Sequence, residues 1–267
     1  MVEYCLDVLT RTGGQLFGLF GLVFVLAFIM WLVSQKMRGL GGGLFGMRRY
    51  AYLVMPGVVC HETGHALGCV VTFTRIHEFV PFRIEGDRLG YVSHTVRGGF
   101  FGSLANFVIA SGPVWFGCAM LVLLAWLFAG GGALPSMGGS YADTGIVQYS
   151  VDVFAEGFSM FVGVIAGGAW KSWLFPVYLY LSFCVASEVV LSDVDVKHMW
   201  GGFAWVVLAF LLLNLVPAVG SYVSLGVNWL MPYVFVAHAT IAFALMLDLC
   251  FCLLLMLIGR LLGRRRR

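Results

Sequence analysis

Charge is scarce in this chain. Lys, Arg, Asp and Glu together make up 11% of its 267 residues, against about 25% in an ordinary soluble domain. Too few solvated groups are present to cover a globular surface, which excludes the common soluble classes. Pairable cysteine is lacking as well. The seven cysteines are scattered, none forms a C-x-x-C, and Cys250 and Cys252 are two residues apart, on different faces of a helix. A cysteine-clamped metal site or redox centre is therefore excluded, and the thiols read as small apolar packing groups. No basic stripe interleaved with aromatics occurs, so a nucleic-acid partner is excluded. The net charge of +3 comes largely from the run Arg264 to Arg267, which suits an anionic cytoplasmic membrane face.

What the chain has instead is apolar length. Apolar residues reach 61% and the mean hydropathy is +0.94, values that point to a multi-pass protein in a lipid bilayer. The 35 glycines fit, because small residues let membrane helices approach closely. Apolar segments run from about Gln15 to Ser34, Tyr52 to Phe73, Phe100 to Phe128, Val151 to Trp170, Trp173 to Leu191, Phe203 to Val223 and Trp229 to Gly259. The first is uncharged and no small-residue cleavage site follows it, so it reads as a membrane helix rather than a signal peptide. A short basic loop with Lys36, Arg38, Arg48 and Arg49 comes next.

The expected fold is an all-α polytopic membrane protein with about six or seven transmembrane helices. The count turns on Val151 to Trp170, which carries Asp152 and Glu156. Basic clusters favour the cytoplasmic side, and two clusters on one side require an even number of crossings between them, which favours seven. Three regions follow: 1–50, an N-terminal helix and basic loop; 51–202, the core; 203–267, C-terminal helices and basic tail.

Between the second and third segments the composition turns polar. The runs Phe79 to Ile84 and Leu89 to Ser93 flank Glu85-Gly86-Asp87-Arg88, the pattern of a small β-hairpin with a glycine-containing turn. Such a hairpin sits at the membrane surface or dips toward the core, where its edge could hold an unwound peptide by strand addition.

One motif carries chemistry. His61-Glu62-Thr63-Gly64-His65 is an H-E-x-x-H inside the second apolar segment. Positions i and i+4 share a helix face, so His61 and His65 can aim two imidazole nitrogens at one ion. Glu62 can take a proton from a metal-activated water. Three ionisable groups in five membrane residues are too costly to be mere packing. Gly57, Gly64 and Gly68 lie on the same stripe, so a neighbouring helix or a substrate can approach the histidine face.

A catalytic zinc commonly takes three protein ligands plus water, so a third ligand is required. The strongest stretch is Ser187 to His198, which holds Glu188, Ser192, Asp193 and Asp195 at the junction of two apolar segments. On a continuous helix Glu188, Ser192 and Asp195 share one face at i, i+4 and i+7. Asp195 is then the third ligand, with Ser192 and Glu188 supporting it; Asp193 and His198 are the alternatives. His77 and His94 belong to the hairpin and are set aside.

With these residues in place the chain resembles the site-2 proteases, intramembrane zinc metallopeptidases, and in particular their small archaeal and bacterial members without PDZ domains. The resemblance rests on the H-E-x-x-H helix, the hairpin after it, Leu104-Ala105-Asn106-Phe107 with Ser111-Gly112-Pro113, and Ser192-x-x-Asp195 before Gly201-Gly202. It covers roughly Pro56 to Gly202. It implies a multi-pass protein of a prokaryotic cell membrane that cleaves membrane-anchored protein substrates with Zn2+, and a substrate or oxyanion contact at Asn106. Better-known members carry the third ligand in an N-x-x-P-x-P-x-L-D-G motif. Here Asn214-Leu215-Val216-Pro217 begins that pattern, but Tyr222 stands where the Asp would be.

Two other classes keep the same residues: a metal transporter, and a structural subunit with a retained zinc site. A transporter needs such groups in series, yet His238 and Asp248 alone carry an imidazole or carboxyl in the last two segments. An intact Glu62 argues against the subunit. Nothing in the sequence fixes the oligomeric state.

Overall fold

The computed structural model describes residues 2–86, 88–129, 134–137 and 141–262. The chain opens with α1 (Val2–Leu16), which continues through a π-helical turn (Phe17–Gly21) into α2 (Leu22–Phe45). Then come α3 (Met47–Leu53), α4 (Met55–Val71), strands β1 (Ile76–Val80) and β2 (Tyr91–His94), and α5 (Gly99–Ala129). The rest comprises α6 (Tyr141–Ala166), a 3-10 turn (Ala169–Lys171), α7 (Phe175–Glu188), α8 (Asp193–Asn214) and α9 (Pro217–Leu261).

The chain is an all-α polytopic membrane protein with, among the described residues, one small hairpin between its helices. Among the described residues five helices are long and apolar enough to cross a membrane: Val2–Phe45, Gly99–Phe128, Gly145–Ala166, Asp193–Asn214 and Pro217–Leu261. Each of the other two expected segments is helical but short. At 17 residues, α4 spans about 26 Å, and at 14 residues α7 spans about 21 Å, against a hydrocarbon core of about 30 Å. Val151 to Trp170 falls largely in α6, and its two acids are satisfied. Asp152 accepts from Gln148 Nε2 at 2.8 Å, and Glu156 from the Ser136 amide at 2.6 Å.

Three boundaries differ from the expectation. The basic loop is helix: α2 runs through Lys36 and Arg38 and ends at Gly46, whose φ of 84° is left-handed. Phe203 to Val223 is not one helix, because a residue before proline is driven to extended backbone. Val216 sits at φ −103°, ψ 110°, and Pro217 opens α9. Glu188 and Asp195 do not share a helix, as the site geometry below makes clear.

A hairpin forms in this stretch, but its first strand is Ile76–Val80 rather than Phe79 to Ile84, and its second is Tyr91–His94. The strands pair antiparallel with Phe79 opposite Val92 and Val80 opposite Tyr91. A further bridge between Glu85 and Arg88 closes the tip.

The histidine helix α4 packs between α5 and α7, beside the main apolar core. Its glycine stripe meets those helices. A Cβ on Gly64 would stand 2.7 Å from Pro113 Cα, one on Gly68 2.7 Å from Ile109 Cα, and one on Gly57 would collide with the Cys184 carbonyl. Helix neighbours, rather than a substrate, occupy this face. Of the cysteines, Cys60, Cys69, Cys118, Cys184 and Cys252 are buried, and all seven are free thiols.

Asn214-Leu215-Val216-Pro217 is a packing motif. Asn214 is 2% exposed and its amide donates to Thr12 Oγ1 at 3.0 Å and Gln15 Oε1 at 2.7 Å, tying α8 to α1. Interhelical bonds of this kind contribute about 0.6 kcal/mol on average and up to about 1.7. Asn214→Ala is expected to lower thermal stability in detergent by an amount in that range and to leave metal content unchanged. Loss of metal in that variant would return the motif to the site.

Candidate metal centre

Each candidate ligand is delivered by a different local device. His61 and His65 lie one turn apart on α4, so their rings emerge on one face. Asp195 comes from the first turn of α8. The expected continuous helix from Glu188 to Asp195 does not form: α7 stops at Glu188, and Ser192 (φ −72°, ψ 162°) caps α8. The Ser192 hydroxyl accepts from the Asp195 amide at 3.2 Å, and the Ser192 amide donates to Asp195 Oδ2 at 2.9 Å. A Ser-x-x-Asp box offers the chain a local alternative to helix continuation, and the apolar pattern alone does not announce it. Asp195 therefore reaches the histidines through a cap, not through helical phase.

The three side chains converge. His61 Nε2 lies 3.2 Å from His65 Nε2, His65 Nε2 3.2 Å from Asp195 Oδ1, and His61 Nε2 3.7 Å from Asp195 Oδ2. One ligand atom from each residue lies within 4.8 Å of the others. Oδ2 also accepts from the Ser192 hydroxyl at 2.6 Å, which leaves Oδ1 toward His65.

Tautomers follow from the partners. His61 Nδ1 meets the Glu188 carbonyl at 2.8 Å, and His65 Nδ1 meets the Ile109 carbonyl at 2.8 Å. A carbonyl only accepts, so both Nδ1 atoms carry the proton and donate. In the neutral rings Nε2 then holds a lone pair. Two lone pairs and a carboxylate aimed at one point repel unless a cation joins them. Zinc bonds of about 2.0–2.2 Å at tetrahedral angles set ligand atoms about 3.3 Å apart, in line with the separations found. The trio fits a metal ion, with Nδ1–H bonded to backbone as metal-bound histidines ordinarily are.

A cavity of about 760 Å³ opens on this point, lined by His61, Glu62, His65, Asn106 and Asp195 with Arg38 of α2 and the stretch Arg88 to His94. Glu62 is 9% exposed, and the hairpin presses on it: a Cβ on Gly90 would stand 2.9 Å from Glu62 Cγ. Asn106 lines the cavity while its amide donates to the Arg97 carbonyl at 3.2 Å. Ser192 contacts Asp195 directly. Glu188 supports the site by its carbonyl, and its carboxylate instead accepts from Arg38 at 3.1 Å.

Asp193 and His198 border the cavity but stand outside the trio, and Asp193 is exposed. His77 bonds Thr95 Oγ1 at 2.9 Å on the hairpin. His94 faces the cavity, and burial holds its pKa below the ordinary value. Sequence reasoning missed the two backbone carbonyls, since a carbonyl has no residue signature, and missed Gly90 and Arg38. A glycine at the edge of a strand and an arginine just past an apolar run were the available signals. No protein-family profile, curated protein or solved structure matches the chain.

His65→Ala and Asp195→Ala are each expected to lower tightly bound divalent metal about tenfold or more, because loss of one of three ligands dismantles the chelate. Asp193→Ala should stay within about twofold of wild type, a supporting-position effect at most. Metal analysis after gel filtration in detergent reads all three. Metal retained in Asp195→Ala and lost in Asp193→Ala would reassign the third ligand.

Proposed function

We propose that this protein is a zinc-dependent intramembrane endopeptidase that cleaves membrane-anchored protein substrates, as its resemblance to the site-2 proteases implies. The observation that carries the reading is the convergence of two imidazole lone pairs and one carboxylate at a cavity that Glu62 also faces. Three protein ligands with an open side suit a catalytic site, where a structural site would close with four.

A zinc ion bound there would supply Lewis acidity and a water of lowered pKa. The protein's own groups account for the rest. Glu62 accepts the proton of the attacking water as oxygen adds to the peptide carbonyl carbon, and returns it to the amine as the C–N bond breaks. Asn106 gives up its bond to the Arg97 carbonyl and donates its amide to the substrate oxyanion or backbone. The Glu188 and Ile109 carbonyls keep the two neutral imidazoles turned toward the reacting point, and the Asp195 carboxylate would complete the ligand set. Charged groups on the wall, Arg38, Glu78 and Arg88 among them, admit the water that hydrolysis needs inside an apolar bundle. The two-stranded sheet pairs β2 on one side only, and Tyr91 to His94 border the cavity. An unwound substrate segment can pair along that edge.

A transport path would need further ligands in series. His238 is fully buried against Tyr149 at 2.8 Å and Asp248 is fully buried in α9; neither borders the cavity.

Glu62→Gln is expected to keep its zinc and to lose about 10²–10⁴-fold in cleavage rate. The assay is cleavage of a panel of single-span membrane proteins by reconstituted enzyme, with chelator-treated wild type as the zero. A variant that cleaves normally, or one that loses its zinc, contradicts the role given to Glu62.

A further inference from the structure

His65 is anchored by a carbonyl that an α-helix ordinarily uses internally. Ile109 lies inside α5, where the amide of the residue four positions on would donate to its carbonyl. That residue is Pro113, inside the same helix, and proline has no N–H to give. Ile109 is 2% exposed, so a carbonyl left unbonded there would carry a desolvation cost. His65 Nδ1 donates to it at 2.8 Å. The preceding residue, Gly64, packs on Pro113 itself, with Pro113 Cα 2.7 Å from where a Cβ on Gly64 would stand. One turn of α5 thus sets the distance to α4 through Pro113 and supplies the acceptor through Ile109.

The other histidine follows the same rule. The residue four positions after Glu188 is Ser192, and its amide donates to Asp195 Oδ2 at 2.9 Å. α7 ends at Glu188, so its carbonyl has no helical donor and accepts from His61 Nδ1 at 2.8 Å. In one case the amide is missing inside a helix; in the other the helix has ended and the Ser192 amide caps the next one.

We propose that Pro113 is a positioning residue of the metal centre: by withholding an amide proton from the Ile109 carbonyl, it reserves that acceptor for His65 Nδ1 and so fixes the tautomer and aim of His65 Nε2. The proposal rests on the trio's reading as a metal site. An amide at position 113 would draw the Ile109 carbonyl back toward the axis of α5 and away from His65. Partners of this kind govern metal affinity by about 10–100-fold.

The test compares zinc affinity, by competition with a chromophoric chelator, across four forms of the full-length protein in detergent. These are wild type, Pro113→Ala, an ester form with lactate in place of Pro113, and Pro232→Ala. Lactate has the alanine side chain but no N–H, so it separates the missing donor from the lost ring. Pro232 is the interior proline of α9 and controls for loss of a helix kink elsewhere. Pro113→Ala is expected to bind zinc about 10–100-fold more weakly, while the lactate form and Pro232→Ala match wild type. Equal affinity in Pro113→Ala and wild type overturns the proposal. So does an equal loss in the alanine and lactate forms, which would assign the effect to the ring. If Pro113→Ala does not fold, the lactate form decides alone: wild-type affinity supports the proposal and weakened affinity overturns it. A wild-type protein that takes up no zinc overturns the metal reading instead.

Discussion

Two imidazole lone pairs and a carboxylate cannot be held within 4 Å of one another in an apolar bundle unless something positive joins them and something rigid orients them. The orientation comes from two backbone carbonyls. Ile109 and Glu188 each accept an Nδ1–H at 2.8 Å, which turns both Nε2 atoms toward Asp195. These contacts need the backbones of α5 and α7 within side-chain reach of α4 at the same time. That requirement explains the glycines better than general membrane packing does. Gly57 brings α4 against α7, while Gly64 and Gly68 bring it against α5. A methyl group on this stripe would widen one of the two spacings that the histidines depend on.

Breaks in helices do as much here as helices. The end of α7 releases the Glu188 carbonyl, the Ser192 cap turns Asp195 inward, and Pro113 leaves Ile109 without its helical donor. An uninterrupted bundle of the same composition would satisfy every carbonyl internally and leave the rings without an acceptor. The polar groups of the site are costly in this environment, and both histidines and Glu188 have partners from other elements. Arg38 crosses from α2 to Glu188, so the junction that carries Asp195 is also tied to the N-terminal helix.

The proposed function makes two separate demands, water access and metal binding. The trio sits beside the core, where α4, α5 and α7 exclude solvent, while the hairpin and the start of α8 leave the other side open as a cavity. The proposed peptidase chemistry needs that asymmetry. In that chemistry dry packing would hold the ligands, and the open face would admit water and an extended substrate beside Glu62.

The sequence by itself determined the membrane class, the helical segments, the hairpin and the pairing of His61 with His65. Those are local properties: apolar run length, alternation about a glycine turn, and i, i+4 periodicity. It also pointed to Asp195, but by a helical phase that the chain does not have. Ser192-x-x-Asp195 is equally a helix cap, and only the folded chain decides between the two uses. Helix ends were the other weak point: α2 passes through its basic residues, and Pro217 divides a run that hydropathy joins. Only the tertiary structure decided which carbonyls orient the rings and that Glu188 contributes its backbone while its carboxylate pairs with Arg38. It alone decided that Gly90 lies against Glu62 and that Asn214 belongs to the α1–α8 contact. The physical reason is that these contacts join backbone atoms and residues far apart in the chain. A carbonyl has no residue identity, and its availability depends on whether the amide four residues on is present, absent or engaged elsewhere.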